Sequence, residues 1–232
     1  MSDILVFTAT YNEKENINNL VNEIFNSSNE IDMLVIDDNS PDGTWETLEE
    51  ISKKNNKFFL IKRDKKLGLN TAHQMAYEYA VNNDYKKLIT MDADFSHDPK
   101  EIPKIIDLLN KHDFVIGSRY SKGGKNTQPI MRYLLSFVGN KLIKHLLNIN
   151  INEFTTSYRG FNLDKLDQFN LKEIKGQGYS FFMETVVILN RLGFDCKEFP
   201  IIFKDRKFGK SKIPKIEILR TFKNLIYLIF KK

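Results

Sequence analysis

The chain has 232 residues, 41% of them hydrophobic and 28% charged, and a formal charge of +5 at pH 7. That is ordinary for a soluble globular protein able to bury a substantial core, and one domain over residues 1–232 is expected. The single cysteine, Cys196, excludes an internal disulfide and a Cys-rich zinc site, fits a reducing compartment and reads as a small core hydrophobe.

Met1-Ser2-Asp3 leads straight into an apolar run with no basic segment or small-residue cleavage site, which predicts no export signal. Ile4 to Phe7 reads as a strand, Thr8 to Glu13 as a polar loop, and Ile17, Leu20, Val21 and Ile24 recur at helical spacing. The unit repeats. Met33 to Ile36 is a buried-type strand, Asp37-Asp38-Asn39-Ser40-Pro41-Asp42-Gly43 a loop, and Trp45 to Ile51 a helix. Phe58 to Ile61, a helix around Thr71 to Val81, the strand Lys87 to Met91, a helix from Pro99 to Leu109 and the strand Phe114 to Ile116 continue the series. Strands alternating with helices in this way predict an α/β fold. Its mainly parallel sheet is flanked by helices and binds ligands beyond the carboxyl ends of its strands.

After Arg119 the pattern changes. Leu134, Leu135, Val138, Leu142, Ile143 and Leu146 form an apolar stripe on a helix from Arg132 to Leu147, with Arg132, Lys141, Lys144 and His145 around it. A second such helix runs from Pro214 to Phe230. Either could pack on the sheet; as a pair, the segments 130–151 and 213–232 suit amphipathic attachment to a membrane surface or the acceptor side of the site. From Lys204 onward, ten lysines and arginines stand against Asp205 and Glu217, so the basicity sits in the tail and the remainder carries a net of −3. Leu225 to Phe230 is far shorter than the ~20 residues a spanning helix needs. No base-stacking aromatic pattern accompanies the basic tail, so nucleic acid is not expected as a partner. His73, His112 and His145 are too scattered for a zinc site, and His97, beside the acids, reads as a structural hydrogen-bonder.

The local chemistry is sharpest in Leu88-Ile89-Thr90-Met91-Asp92-Ala93-Asp94-Phe95-Ser96-His97-Asp98, where an apolar strand delivers two carboxylates one residue apart. On an extended strand both would point to one side. Two close carboxylates repel, so the pair reads either as a solvated acidic turn or as a site for a hard divalent cation. Asp37-Asp38, Thr10-Tyr11-Asn12-Glu13 and Arg119 end other strands, and a parallel sheet brings all four clusters to one rim. Acids for a metal, an aromatic for a base and an arginine for a phosphate describe a nucleotide diphosphate site.

These segments, with Lys66-Leu67-Gly68-Leu69, Gly117-Ser118-Arg119-Tyr120 and Arg206-Lys207-Phe208-Gly209-Lys210-Ser211-Lys212, resemble the family-2 glycosyltransferases over nearly the whole chain, in particular the dolichol-phosphate mannose synthase branch. The resemblance implies the Rossmann-like GT-A fold and a metal-dependent, inverting transfer of a hexosyl group to a polyprenyl phosphate, with mannose from GDP-mannose the leading donor. It implies that Thr10, Tyr11, Glu13, Ile36 and Asp37 surround the donor's base and ribose, with Ala93 beside the sugar nucleotide. It further implies that Asp92, Asp94 and Ser96 hold Mg2+ or Mn2+ and the diphosphate, and that Arg119 lies near the donor phosphates. Arg206 and Lys212 match basic groups on a closing loop, and Arg132 and Ser136, one helical turn apart, match the pair that receives the acceptor's phosphate. Asp92, Asp94, Arg119 and Arg132 are thus the expected catalytic set. Glu184 also matches the pattern, as a positioning group or as an acid near a helix N-terminus.

Two departures from the family pattern stand out: the first should only loosen the end of the strand, and the second bears on the sugar pocket. Ala9 stands where the family has proline, and Glu153-Phe154-Thr155-Thr156-Ser157-Tyr158-Arg159 carries Glu for Asp and Ser157 for Gly. A phosphate acceptor is already ionised near neutral pH, its second pKa being about 6, so no strong general base is required and cations at the acceptor end are expected instead. The expected location is peripheral, on the cytoplasmic face of a membrane, with or without a separate membrane-anchoring subunit. A family-2 transferase using a soluble or polymeric sugar acceptor, and a noncatalytic nucleotide-sugar-binding module, are the alternatives.

Overall fold

The structure is a computed structural model describing residues 2–204 and 217–230. Strands β1 (Ile4–Thr10), β2 (Ile31–Asp37), β3 (Phe58–Lys62), β4 (Lys87–Asp92), β5 (Phe114–Ser118), β7 (Arg159–Asn162) and β8 (Cys196–Pro200) form one sheet in the order β3-β2-β1-β4-β7-β5-β8. A short parallel pair, β6 (Lys125–Asn126) and β9 (Ile202–Phe203), lies apart from it. β1 to β4 are mutually parallel, β7 is antiparallel to both β4 and β5, and β5 and β8 therefore run with β4. Central strands buried on both faces carry near-continuous apolar runs, as Ile4-Leu5-Val6-Phe7 does.

Alternate residues of those runs feed two cores. Leu5, Phe7, Leu34 and Ile36 meet α3 (Leu69–Asn82) and α6 (Tyr179–Arg191) on one face. Ile4, Val6, Met33 and Val35 meet α1 (Lys14–Ser27), α2 (Thr44–Ser52) and α4 (Ile102–Leu109) on the other. α3 approaches the sheet closely because its inner stripe is Ala72, Ala76 and Ala80. α4 approaches β7 as closely: a Cβ on Gly160 would stand 2.7 Å from Ile105 Cγ2 and 2.9 Å from Leu109 Cδ1. The expected single helix from Pro99 begins instead as a 3-10 turn, Pro99–Glu101, capped by Asp98, before α4.

The expected amphipathic helices are α5 (Ile130–Leu147), closed by Asn148 in the left-handed region at φ 51°, and α7 (Glu217–Phe230). α7 is tied to α6, whose buried Glu184 accepts from Gly176 N–H at 2.8 Å and Asn224 Nδ2 at 3.2 Å. No helix of the described residues is long and apolar enough to cross a membrane.

His73 is buried between Phe7, Phe181 and Phe182, and burial, reinforced by the Arg159 charge, pushes its pKa down to about 3. Below its unfolded pKa of about 6.5 the unfolded chain takes up a proton that the native ring refuses, so stability falls with pH from there toward 3. The expected contribution is roughly 1.4 kcal/mol per pH unit over that window. Urea denaturation at pH 7, 6 and 5 checks it: the slope of stability against pH should be shallower by one proton in His73→Leu, and an unchanged slope would contradict the assignment.

Candidate active site

The carboxyl ends of β1, β2, β4 and β5 and the amino end of β7 share one rim. The chain leaves three of these strands through left-handed residues: Asn12 after β1 (φ 58°), Asn39 after β2 (φ 56°) and Phe95 after β4 (φ 61°). Asparagine tolerates this region, but phenylalanine there costs about 1–2 kcal/mol, which the surrounding structure must offset.

At the β1 and β2 ends, Asp37 lies beneath the rim. It is fully buried, accepting from Thr10 Oγ1 at 2.8 Å, Ser40 Oγ at 2.6 Å and Ser40 N–H at 2.9 Å, and so it shapes the loop from below. Ile36 is buried beside it. Ser40 and Thr44 return the support, their hydroxyls accepting from Asn12 N–H (3.0 Å) and Glu13 N–H (2.9 Å), while Glu13 accepts from Asn16 Nδ2 at 2.9 Å. Tyr11 is half-buried with Lys66 Nζ 4.4 Å from its ring centre, so a cation flanks the proposed base-binding aromatic. Asp38 forms a buried ion pair with Arg63, which also reaches Thr71 and the Gly68 carbonyl.

At the β4 end the two aspartates part company. The strand stops at Asp92, whose side chain remains about one-third exposed (33%), whereas Asp94 is buried in the following bend and accepts from Ser96 N–H at 3.1 Å. The simple extended-strand geometry therefore does not hold at Asp94, because the chain has already turned. Ala93 is buried between them. Ser96 Oγ is buried and has no hydrogen-bond partner among the described residues. An orphaned hydroxyl in the same bend as Asp94, whose carboxylate meets the Ser96 N–H, adds to the carboxylates of Asp92 and Asp94 a hard oxygen donor of the kind that suits Mg2+ or Mn2+. Among the described residues no group of three His, Cys, Asp or Glu is placed to hold a metal, so the remaining ligands would come from diphosphate oxygens and water.

Asp92 is gripped from its neighbours. Its N–H donates to His97 Nδ1 at 3.1 Å, and Ser157 Oγ donates to its Oδ1 at 2.5 Å. His97 is fully buried and stacked on Tyr158; burial lowers its pKa against the pull of Asp92 and Asp94, so the ring is neutral. With Nδ1 accepting, the proton sits on Nε2, 3.2 Å from Thr156 Oγ1.

Arg119, at the β5 end, is committed to Glu153: Nε donates to Oε2 at 2.7 Å and Nη2 to Oε1 at 2.8 Å, with Thr155 Oγ1 also 2.8 Å from Nη2. Burial pushes Glu153 up, but the Arg119 charge and the bonds from Arg119 and Thr155 hold its carboxyl below the usual range. The pair is neutral as a unit, so Arg119 offers a donor phosphate less charge than a free arginine would. The guanidinium lies between Tyr120 and Phe203, each ring centre 5.1 Å away. Tyr120 in turn packs on Tyr133 and Phe137 of α5, which fixes the helix bearing Arg132 and Ser136 beside this end of the rim. Arg132 is exposed and Ser136 half-buried. Arg206 and Lys212 lie outside the described residues.

Residues expected only to bear on the sugar pocket turn out to brace Asp92 and Arg119. Glu153, Thr156 and Ser157 come from the segment before β7, and Arg159 anchors that segment by donating to the carbonyls of Thr156 (2.7 Å), Phe154 (2.9 Å) and Phe182 (2.8 Å). Their separation from Asp92 in the chain hides the contacts; the only hint was the partial match of this segment to a family pattern.

Residues 5–169 match the family model described as Glycosyl transferase family 2. An undecaprenyl-phosphate mannosyltransferase of Micrococcus luteus is 32% identical over 211 residues, 90% of this chain and 87% of that protein. A polyprenol monophosphomannose synthase of Mycolicibacterium smegmatis is 32% identical over 212 residues, 90% of this chain and 80% of that protein. Among solved structures, glucosyl-3-phosphoglycerate synthase from Mycobacterium tuberculosis, in complex with Mn2+, UDP and phosphoglyceric acid, superposes with a TM-score of 0.69 at 15% identity, covering 98% of this chain and 78% of that one. A mannosyltransferase from Pyrobaculum calidifontis in complex with GDP-Man and Mn2+ gives 0.60 at 14% identity, covering 99% and 70%. At these identities the two structures establish the shared fold.

Proposed function

The chain belongs to glycosyl transferase family 2, and from that membership we propose that it transfers mannose from GDP-mannose to a polyprenyl phosphate with inversion at the anomeric carbon. The observation that carries this reading is the 32% identity, over nine-tenths of the chain, to proteins named for mannosyl transfer to polyprenyl phosphates.

The rim supplies the rest. Tyr11 with Lys66 receives the base, and the Asp37-supported loops shape the ribose pocket. Asp92, Asp94 and Ser96 would hold Mg2+ or Mn2+, and the ion would supply positive charge to offset the negative charge developing on the departing diphosphate. The bond from the anomeric carbon to the diphosphate oxygen breaks, its electron pair leaves with GDP, and an acceptor phosphate oxygen forms the new bond from the opposite face. Arg132 and Ser136 orient that phosphate, which needs no base to ionise it.

The acceptor's chain stays in lipid, so the enzyme must meet a membrane. On α5, Met131, Leu134, Leu135, Val138, Leu142 and Leu146 are all exposed, and α7 exposes Leu219, Phe222, Ile226 and Phe230, with Lys141, Arg220 and Lys223 also at the surface. This arrangement suits shallow insertion into an anionic leaflet, peripheral and on the cytoplasmic side. Vesicles containing phosphatidylglycerol should sediment the protein. Replacing Leu135 and Val138 together by serine should weaken that binding at least about tenfold without changing the urea midpoint. Equal sedimentation of both proteins would contradict the assignment of this face.

The direct test incubates the protein with Mn2+, undecaprenyl phosphate and radiolabelled GDP-mannose or UDP-glucose. Label from GDP-mannose is expected in the organic phase. Arg132→Ala should raise the KM for the lipid phosphate by roughly 10–100-fold, the size of a charged hydrogen bond, with a smaller effect on kcat. Transfer of label only to soluble sugars would sink the reading.

A further inference from the structure

We propose that Ser157 is a positioning residue for Asp92, fixing which carboxylate oxygen the site offers to a divalent cation. The inference rests on the cation-binding reading of Asp92 and extends it to a residue 65 positions away.

Asp92 ends β4 with its side chain one-third in solvent, where a carboxylate would ordinarily rotate. Ser157 removes that freedom. Its residue is 3% exposed, and its hydroxyl donates to Asp92 Oδ1 at 2.5 Å, a charge-assisted bond at the short end of the normal range. Asp92 Oδ2 stands 3.9 Å from His97 Nδ1, too far for a hydrogen bond, and Nδ1 is already used by the Asp92 backbone N–H. Oδ1 is therefore the tethered oxygen and Oδ2 the one left for a ligand.

Ser157 can hold a carboxylate because it is itself held. Its carbonyl accepts from Thr90 Oγ1 at 2.6 Å, which joins it to the strand that carries Asp92. The preceding residue, Thr156, meets His97 Nε2, so adjacent residues of one segment secure Asp92 through both its backbone and its side chain. Arg159 and Asn140 anchor the segment, Asn140 Oδ1 accepting from Phe154 N–H at 2.7 Å. A glycine at this position would have no side chain to make the bond that Ser157 makes. A bond made before the cation arrives spares the ordering cost of fixing the carboxylate on binding.

The test measures Mn2+ binding in the presence of GDP by water-proton relaxation, which needs no turnover. Ser157→Ala is expected to weaken Mn2+ binding about tenfold, the effect of one hydrogen bond to a charged group, with an unchanged urea midpoint. Binding within twofold of wild type would overturn the proposal. If the alanine variant is also less stable, Ser157→Thr, which keeps the hydroxyl, must restore Mn2+ affinity, and its failure to do so would equally overturn it. Asp92→Asn separates the two layers of inference. If it abolishes Mn2+ binding while Ser157→Ala does not, only the role of Ser157 is lost; if it too binds normally, the cation does not sit at Asp92 and both readings fall.

Discussion

Asp94→Asn is expected to lower sugar transfer by about a thousandfold or more, equivalent to roughly 4 kcal/mol of transition-state stabilisation. Asparagine keeps an oxygen to accept from Ser96 N–H, so the bend after β4 should survive, and only the charge is removed. An effect of this size therefore reads the cation and not the fold. Asp92→Asn should behave in the same way, since the amide oxygen can still accept from Ser157. Initial rates over a range of Mn2+ concentrations check this, with far-UV circular dichroism as a control. A variant retaining more than about a tenth of wild-type turnover would remove Asp94 from the metal site.

Glu153→Ala should cost about 3–5 kcal/mol of stability, because it strands a buried guanidinium without its partner. Glu153 is fully buried and Arg119 nearly so, and the carboxylate also accepts from Thr155 N–H at 3.0 Å and Thr155 Oγ1 at 2.9 Å. The double variant Arg119→Met with Glu153→Leu removes both charges and should recover most of the loss, since an apolar pair of similar volume is often as stable as a buried ion pair. Transfer in the double variant should nevertheless stay roughly 10–100-fold down, because the segment holding Asp92 loses one of its attachments. Urea denaturation and initial rates on the three proteins separate these effects. If the double variant were no more stable than the single one, the cost would lie in packing and not in unpaired charge.

The parallel strands and their helices were legible because their signals are local. Ile17, Leu20, Val21 and Ile24 are buried as their spacing implies, and the clusters after β1, β2, β4 and β5 lie on one rim because those strands are parallel. β7 was not legible: Arg159-Gly160-Phe161-Asn162 is four residues long and opens with a charge, and it enters the sheet only because β4 and β5 flank a gap that α4 covers closely over Gly160. The candidate site divides in the same way. Aspartates and arginines at strand ends announce themselves, but a sequence does not show that Asp37 faces inward, that Arg119 is spent on Glu153, or that Ser157 reaches Asp92. Those are long-range contacts between residue types common on any surface.

Anomalous diffraction from crystals grown with Mn2+ and GDP tests the metal-and-diphosphate site at the centre of this account. A manganese peak is expected roughly 2–2.5 Å from carboxylate oxygens of Asp92 or Asp94, and in contact with the diphosphate. A peak at another place, with both carboxylates free of metal and nucleotide, would contradict it.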